Sequence, residues 1–125
     1  MTIVRGNNAD KFEVPGVVVT KIAAPSTGAS EVLMFHAELE PGALNPTHVH
    51  DHEEIVYCMA GTMKGTIGDQ EVELQAGDTM IVPPHVYHNL VNHGEDQLEV
   101  ICAMPAGTQN WDDQNQPMSP PPWTL

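Results

Sequence analysis

The chain has 125 residues, the size of one ordinary domain, and 17 acidic against 4 basic side chains give it a formal charge of −13. A surface this negative repels phosphate backbones, which argues against nucleic acid and anionic membrane as partners; the acids are scattered, as on a solvated surface. The longest apolar runs fall well short of a membrane span, and the opening MTIVRGNNADKF lacks the basic start and apolar stretch of a secretory signal.

In chain order, residues 1–15 read as an N-terminal arm of a single domain. Short apolar runs punctuated by proline and glycine follow, and none sustains a helical period over three turns. Strands are expected at 17–23, 32–39, 47–50, 55–60, 63–67, 71–74, 79–82, 86–90 and 98–103, with a tight turn at Gly68-Asp69. That spacing is the pattern of an all-β domain, an antiparallel sandwich or barrel. Alternation then assigns faces. Leu33, Phe35, Ala37 and Leu39 share the inner side, while His36 joins Met34, Glu38 and Glu40 on the wetter one. Leu98, Val100 and Cys102 face inward, with Glu99 outward. Cys58 and Cys102 both sit in apolar runs, as buried thiols of a reducing, cytoplasmic setting.

Residues 54–60 differ. Glu54, Val56 and Cys58 form one side, Ile55, Tyr57 and Met59 the other, and both are mostly apolar. Both are therefore expected to be covered, the outer one by a second subunit in a homodimer, or else by the arm or tail of the same chain. From about residue 105 to 125 the chain becomes a tail rich in Pro, Gln, Asn and Asp, whose prolines argue against regular strand or helix. Trp111 and Trp123 have the area to anchor it over the barrel or across a dimer; a disordered end is the alternative.

Chemistry concentrates in two segments. In GALNPTHVHDHEEIVYCMAG, His48 and His50 lie two apart and so share a strand face, and the polar Asp51-His52-Glu53 turn brings Glu54 back behind them. In GDTMIVPPHVYHNLVN, His88 must arrive on a different strand. Three imidazoles and a carboxylate suit one divalent transition metal ion, Fe, Mn, Ni, Co or Zn, and leave one or two positions of an octahedral ion for water, substrate or dioxygen. His36 and His93 read as surface residues and His52 as a solvent-exposed turn residue. No Gly-x-Ser-x-Gly elbow or phosphate-cradling glycine loop precedes a helix.

The two segments resemble the paired motifs of the cupin superfamily. Gly42, His48, His50, Glu54 and Gly61 fill the first with its spacing; Gly77, Pro83, His88 and Asn92 fill the second, in which His85 stands where the family has glycine. The resemblance implies a small single-domain cupin-type antiparallel β-barrel, jelly-roll-like, of the quercetinase-like kind. It places metal ligation on His48, His50, Glu54 and His88. A histidine for glycine at 85 implies a different backbone angle, a changed pocket rim or an extra acid–base group.

Around the ion, Val56, Cys58, Met80, Val82, Val100 and Cys102 are expected to face inward, with Phe35 and Leu33 beside them. The absence of Arg and Lys from that lining disfavours a dicarboxylate such as oxalate and favours a neutral aromatic, flavonoid or β-diketone. Tyr57 and Tyr87 point away from the metal by alternation. Cupin lyases acting on sulfonium substrates place a tyrosine two residues after the glutamate, where this chain has Val56. The resulting expectation is a metal-dependent oxidoreductase of the dioxygenase kind, with Glu54 as catalytic base. The alternatives are a redox-neutral isomerase, cyclase or lyase, and a non-catalytic metal- or small-molecule-binding module.

Overall fold

Alternation of buried and exposed side chains is most regular in the two central strands, and it divides the molecule into two faces and an interior. The computed structural model describes all 125 residues, Met1–Leu125. Twelve strands form: β1 (Lys11–Val14), β2 (Val17–Ala23), β3 (Val32–Leu39), β4 (Leu44–His50), β5 (Glu54–Ala60), β6 (Thr62–Ile67), β7 (Gln70–Gln75), β8 (Thr79–Val82), β9 (His88–Val91), β10 (Leu98–Pro105), β11 (Asn110–Asp112) and β12 (Pro117–Met118). They make two antiparallel six-stranded sheets, ordered β1-β2-β3-β10-β5-β8 and β12-β11-β4-β9-β6-β7. The result is the jelly-roll-like, all-β architecture expected. No helix is long and apolar enough to cross a membrane.

The core lies between the sheets. Along β10 every second residue is buried, so Leu98, Val100 and Cys102 point in as expected. They meet Val56 and Cys58 of β5, Met80 and Val82 of β8, and Met63 and Leu90 from the other sheet. Each such Val or Leu contributes about 1.5–3 kcal/mol when fully buried. The chain crosses from β5 in one sheet to β6 in the other at Gly61, whose φ is +83° and whose added Cβ would sit 2.7 Å from the Gln97 carbonyl oxygen. Only glycine fits there without strain.

Three expectations need correction. The N-terminal arm contains β1, an exposed edge strand paired to β2 in register Phe12↔Val19. β4 begins at Leu44, earlier than expected, although it carries Pro46. The register with β9 shifts between Asn45 and His48, and this irregularity accommodates the residue that has no N–H to donate. The tail, thirdly, is not structureless. β11 adds to the edge of β4, β12 pairs with β11, and residues Pro122–Thr124 close in a 3-10 turn.

The outer face of β5 stays open. Ile55, Tyr57 and Met59 are 40%, 42% and 43% exposed, and Ile81 on the neighbouring edge strand 58%. Neither arm nor tail reaches them: β1 lies at the opposite edge of this sheet, and the tail joins the other sheet. The expectation of a homodimer on this face has a direct check. Tyr57→Glu combined with Ile81→Lys should convert a dimer to a monomer in sedimentation analysis; an unchanged mass removes this face from the subunit contact.

Candidate metal centre

His48 and His50 project from the end of β4, and His88 opens β9 as the register partner of His48. That pairing sets the two rings side by side, with centroids 4.3 Å apart and planes tilted by 54°. Glu54 comes from the opposite sheet, as the first residue of β5. The four are 2–9% exposed, and one ligand atom from each lies within 4.8 Å of all the others. The sequence-derived set is therefore brought together, across both sheets.

Hydrogen bonds on the outward nitrogens decide what faces inward. His48 Nδ1 donates to the Pro46 carbonyl at 2.7 Å and His88 Nδ1 to the Val86 carbonyl at 2.9 Å. A carbonyl can only accept, so in each neutral ring Nε2 is a bare lone pair. His50 Nδ1 donates to the side-chain oxygen of Asn110, a residue of β11 directly opposite His50 in the strand register. The inward contacts then join acceptor to acceptor: His48 Nε2 to His50 Nε2 at 3.1 Å, His88 Nε2 to Glu54 Oε1 at 3.0 Å, His50 Nε2 to Glu54 Oε1 at 3.3 Å. One proton on His50 can bridge at most two of these atoms, whereas a divalent cation satisfies all four. Adjacent ligands at about 2.1 Å from one ion lie about 3 Å apart, which is the spacing found. The donor set fits a transition metal.

Ionisation agrees with ligation. Burial, together with the His88 and His50 rings, pushes His48 down to about 4, against the pull of the Pro46 carbonyl and Glu54, so it is neutral at pH 7. Burial also lowers His50, but the Glu54 and Asn110 contacts outweigh it and raise the ring above its ordinary value. Glu54 is fully buried, which raises it, yet the His50 and His88 contacts hold it down to about 2, fully ionised. Cys102 lies against Glu54, and burial and that carboxylate push its thiol well up, so it stays protonated.

His48, His50 and Glu54 line a cavity of about 430 Å³ between the sheets, and His88 stands behind them. Val100, Cys102 and Phe35 line it as expected, whereas Val56, Cys58, Met80 and Val82 lie deeper, in the packed core, and Leu33 joins Ala24 and Met104 in a small satellite cluster. No lysine or arginine lines it.

The remaining histidines separate clearly. His93 and His52 are exposed, the latter paired with Asp51 at 2.8 Å. His36 is partly buried on the outer face of β3, where its Nε2 meets Glu99 Oε1 at 3.1 Å beside Glu38. His85 corrects two expectations. Its φ is +63°, so the backbone keeps the left-handed conformation that a glycine would adopt, and the exposed ring does not line the cavity. Asn92 has a structural role: its amide donates to the Leu39 and Asp96 carbonyls at 2.8 and 2.9 Å, tying the loop before β10 to β3.

With this geometry in place, comparison with known proteins is informative. The cupin domain family matches residues 35–104, more than half of the chain, and the chain belongs to that family. An uncharacterised protein of Methanocaldococcus jannaschii is 34% identical over 60 residues, covering 46% of this chain and 48% of that protein. Acireductone dioxygenase 4 of Arabidopsis thaliana is 26% identical over 80 residues, covering 60% of this chain and 42% of that enzyme. The chain thus spans about half the length of the curated relatives it matches. The polyketide cyclase RemF of Streptomyces resistomycificus superposes with a TM-score of 0.76 over 86% of this chain and 81% of its own, at 19% identity.

Asn110 escaped the sequence reading, and its role generates a prediction. Asn110→Leu removes the acceptor for His50 Nδ1 and should weaken metal affinity about 10- to 100-fold, while His88→Ala should abolish stoichiometric binding. Isothermal titration with Zn(II) measures both; wild-type affinity in the two variants would refute this centre.

Proposed function

We propose that this cupin is a metal-dependent oxidoreductase of the dioxygenase kind, acting on a small organic substrate that chelates through oxygen. The observation that carries the reading is the convergence of three inward Nε2 lone pairs and one carboxylate oxygen, with His48, His50 and Glu54 lining a largely apolar cavity. A divalent transition ion held by His48, His50, Glu54 and His88 supplies Lewis acidity toward the substrate's oxygens and, where redox-active, an electron path to dioxygen. The likeness to a plant protein named as a dioxygenase supports this reaction class.

The chain's own part is proton handling. Glu54 is held strongly acidic only by its contacts with His50 and His88, against a burial effect of opposite sign. If its carboxylate swings from the imidazoles toward substrate, burial dominates and its basicity rises as it reaches the hydroxyl proton. Motion and basicity are thereby coupled at Glu54 Oε1. The protonated thiol of Cys102 stands beside it as a hydrogen-bond donor.

A redox-neutral reading is favoured by one observation, the superposition on a polyketide cyclase, in which the metal would only polarise a carbonyl. Oxygen consumption during turnover, set against anaerobic turnover, separates the two. Glu54→Gln should retain part of the bound metal yet lower kcat by about 10²- to 10⁴-fold. An undiminished rate in that variant removes Glu54 as the base, and full activity after exhaustive chelation removes the metal from the mechanism.

A further inference from the structure

The tail does more than close one edge of a sheet. β11 places Asn110 against His50, and the chain then continues along the cavity, contributing Asp112, Asp113, Met118, Pro121 and Trp123 to its lining. It is tied down at two further points: Tyr87 donates to the Asn115 side-chain oxygen at 3.3 Å, and the last residue, Leu125, accepts a bond from the Ser26 N–H at 2.9 Å. Within the tail the Gln116 N–H donates to Asp112 at 2.9 Å. The Trp123 ring is held between two others, 6.2 Å from the centroids of both Phe12 and Phe35. Lys21 stands over Phe12 at 5.5 Å and donates to Ser26, bracing the same corner.

The cavity therefore has two chemically distinct linings. One carries His48, His50 and Glu54; the other is an apolar wall of Phe35 and Trp123 with Val14 and Val17. The only formal charges lining it are carboxylates, those of Glu54, Asp112 and Asp113. At about 430 Å³ it has room for far more than a two-carbon chelator.

We propose that the C-terminal segment 110–125 is the specificity element of this cupin: Trp123, with Phe35 tilted 59° to it, forms an aromatic wall that selects neutral, oxygen-chelating substrates with a planar aromatic body and rejects small dianionic chelators. The inference rests on the metal-chelation reading above and adds the identity of the substrate's non-reacting part. Aromatic rings gain by offset or edge contact with the indole beyond the area they bury. A dianion gains no cation here except the metal and meets three carboxylates.

The test uses two neutral ligands with one chelating head. Maltol and 3-hydroxyflavone share the hydroxypyranone group and differ in the fused and pendant rings. Both are titrated into the full-length protein loaded with Zn(II), which is redox-silent, and binding is followed by absorbance and by indole fluorescence. Wild type should bind 3-hydroxyflavone at least about tenfold more tightly than maltol, and oxalate more weakly than either. Trp123→Ala should abolish the preference while leaving maltol affinity and zinc stoichiometry unchanged; Trp123→Phe should restore most of it. A preference that survives Trp123→Ala, or its absence from wild type, overturns the wall although maltol still binds. Failure of maltol itself to bind overturns the chelation reading instead. If Trp123→Ala loses zinc, Phe35→Ala decides: a preference unchanged in that variant also overturns the proposal.

Discussion

The structure depends on a set of hydrogen bonds that point away from the site. Carbonyls of Pro46 and Val86 and the Asn110 side chain take the Nδ1 hydrogens of three imidazoles, which turns all three Nε2 atoms toward Glu54. Acceptor atoms about 3 Å apart repel in a medium of low dielectric, so this arrangement is a standing demand for positive charge. Protons answer it only partly, by way of a His50 whose proton is favoured by Glu54 while His48 is kept neutral. A divalent cation answers it fully, and its binding displaces any proton held there.

The fold is what makes that demand affordable. Glu54 approaches from one sheet and the histidines from the other, so an ion held by all four would also cross-link the two halves of the sandwich. The irregularity at Pro46 belongs to the same design. Pro46 contributes a carbonyl to the His48 ring and, lacking an N–H, sits where the ladder with β9 slips. Behind the ligands, Val56, Cys58, Val100 and their neighbours are packed without polar interruption. Dense packing of this kind resists collapse, and so keeps the four ligand atoms from relaxing away from one another.

Much of this was legible in the sequence because it is written in short periods. Period-two alternation put Leu98, Val100 and Cys102 inside and Ile55, Tyr57 and Met59 outside, and the spacing of His48, His50, Glu54 and His88 announced one site from two segments. What was missed depends on contacts without a local signal. Asn110 becomes relevant only by pairing with a strand sixty residues earlier, and the prolines that surround it disguise β11 and β12 as loop. β1 is four residues long and largely exposed, so it has almost no apolar signature. His85 misled in the opposite sense. The residue type suggested a changed backbone, yet the turn imposes a positive φ and the histidine accepts the strain, its N–H bonded to the His50 carbonyl at 2.8 Å.

The tail shows how binding and selection can share one piece of chain. Its first strand orients a metal-binding imidazole through Asn110, and its end presents Trp123 to the same cavity. Between them only a dozen residues intervene, braced internally at Asp112 and held to the body at Asn115. The indole wall and the residue behind His50 thus belong to one short stretch of backbone. Of the three histidine ligands, His50 alone has its Nδ1 bonded to a residue outside the two histidine-bearing motifs, so the segment that walls the aromatic end also fixes the tautomer of one inward-facing ring.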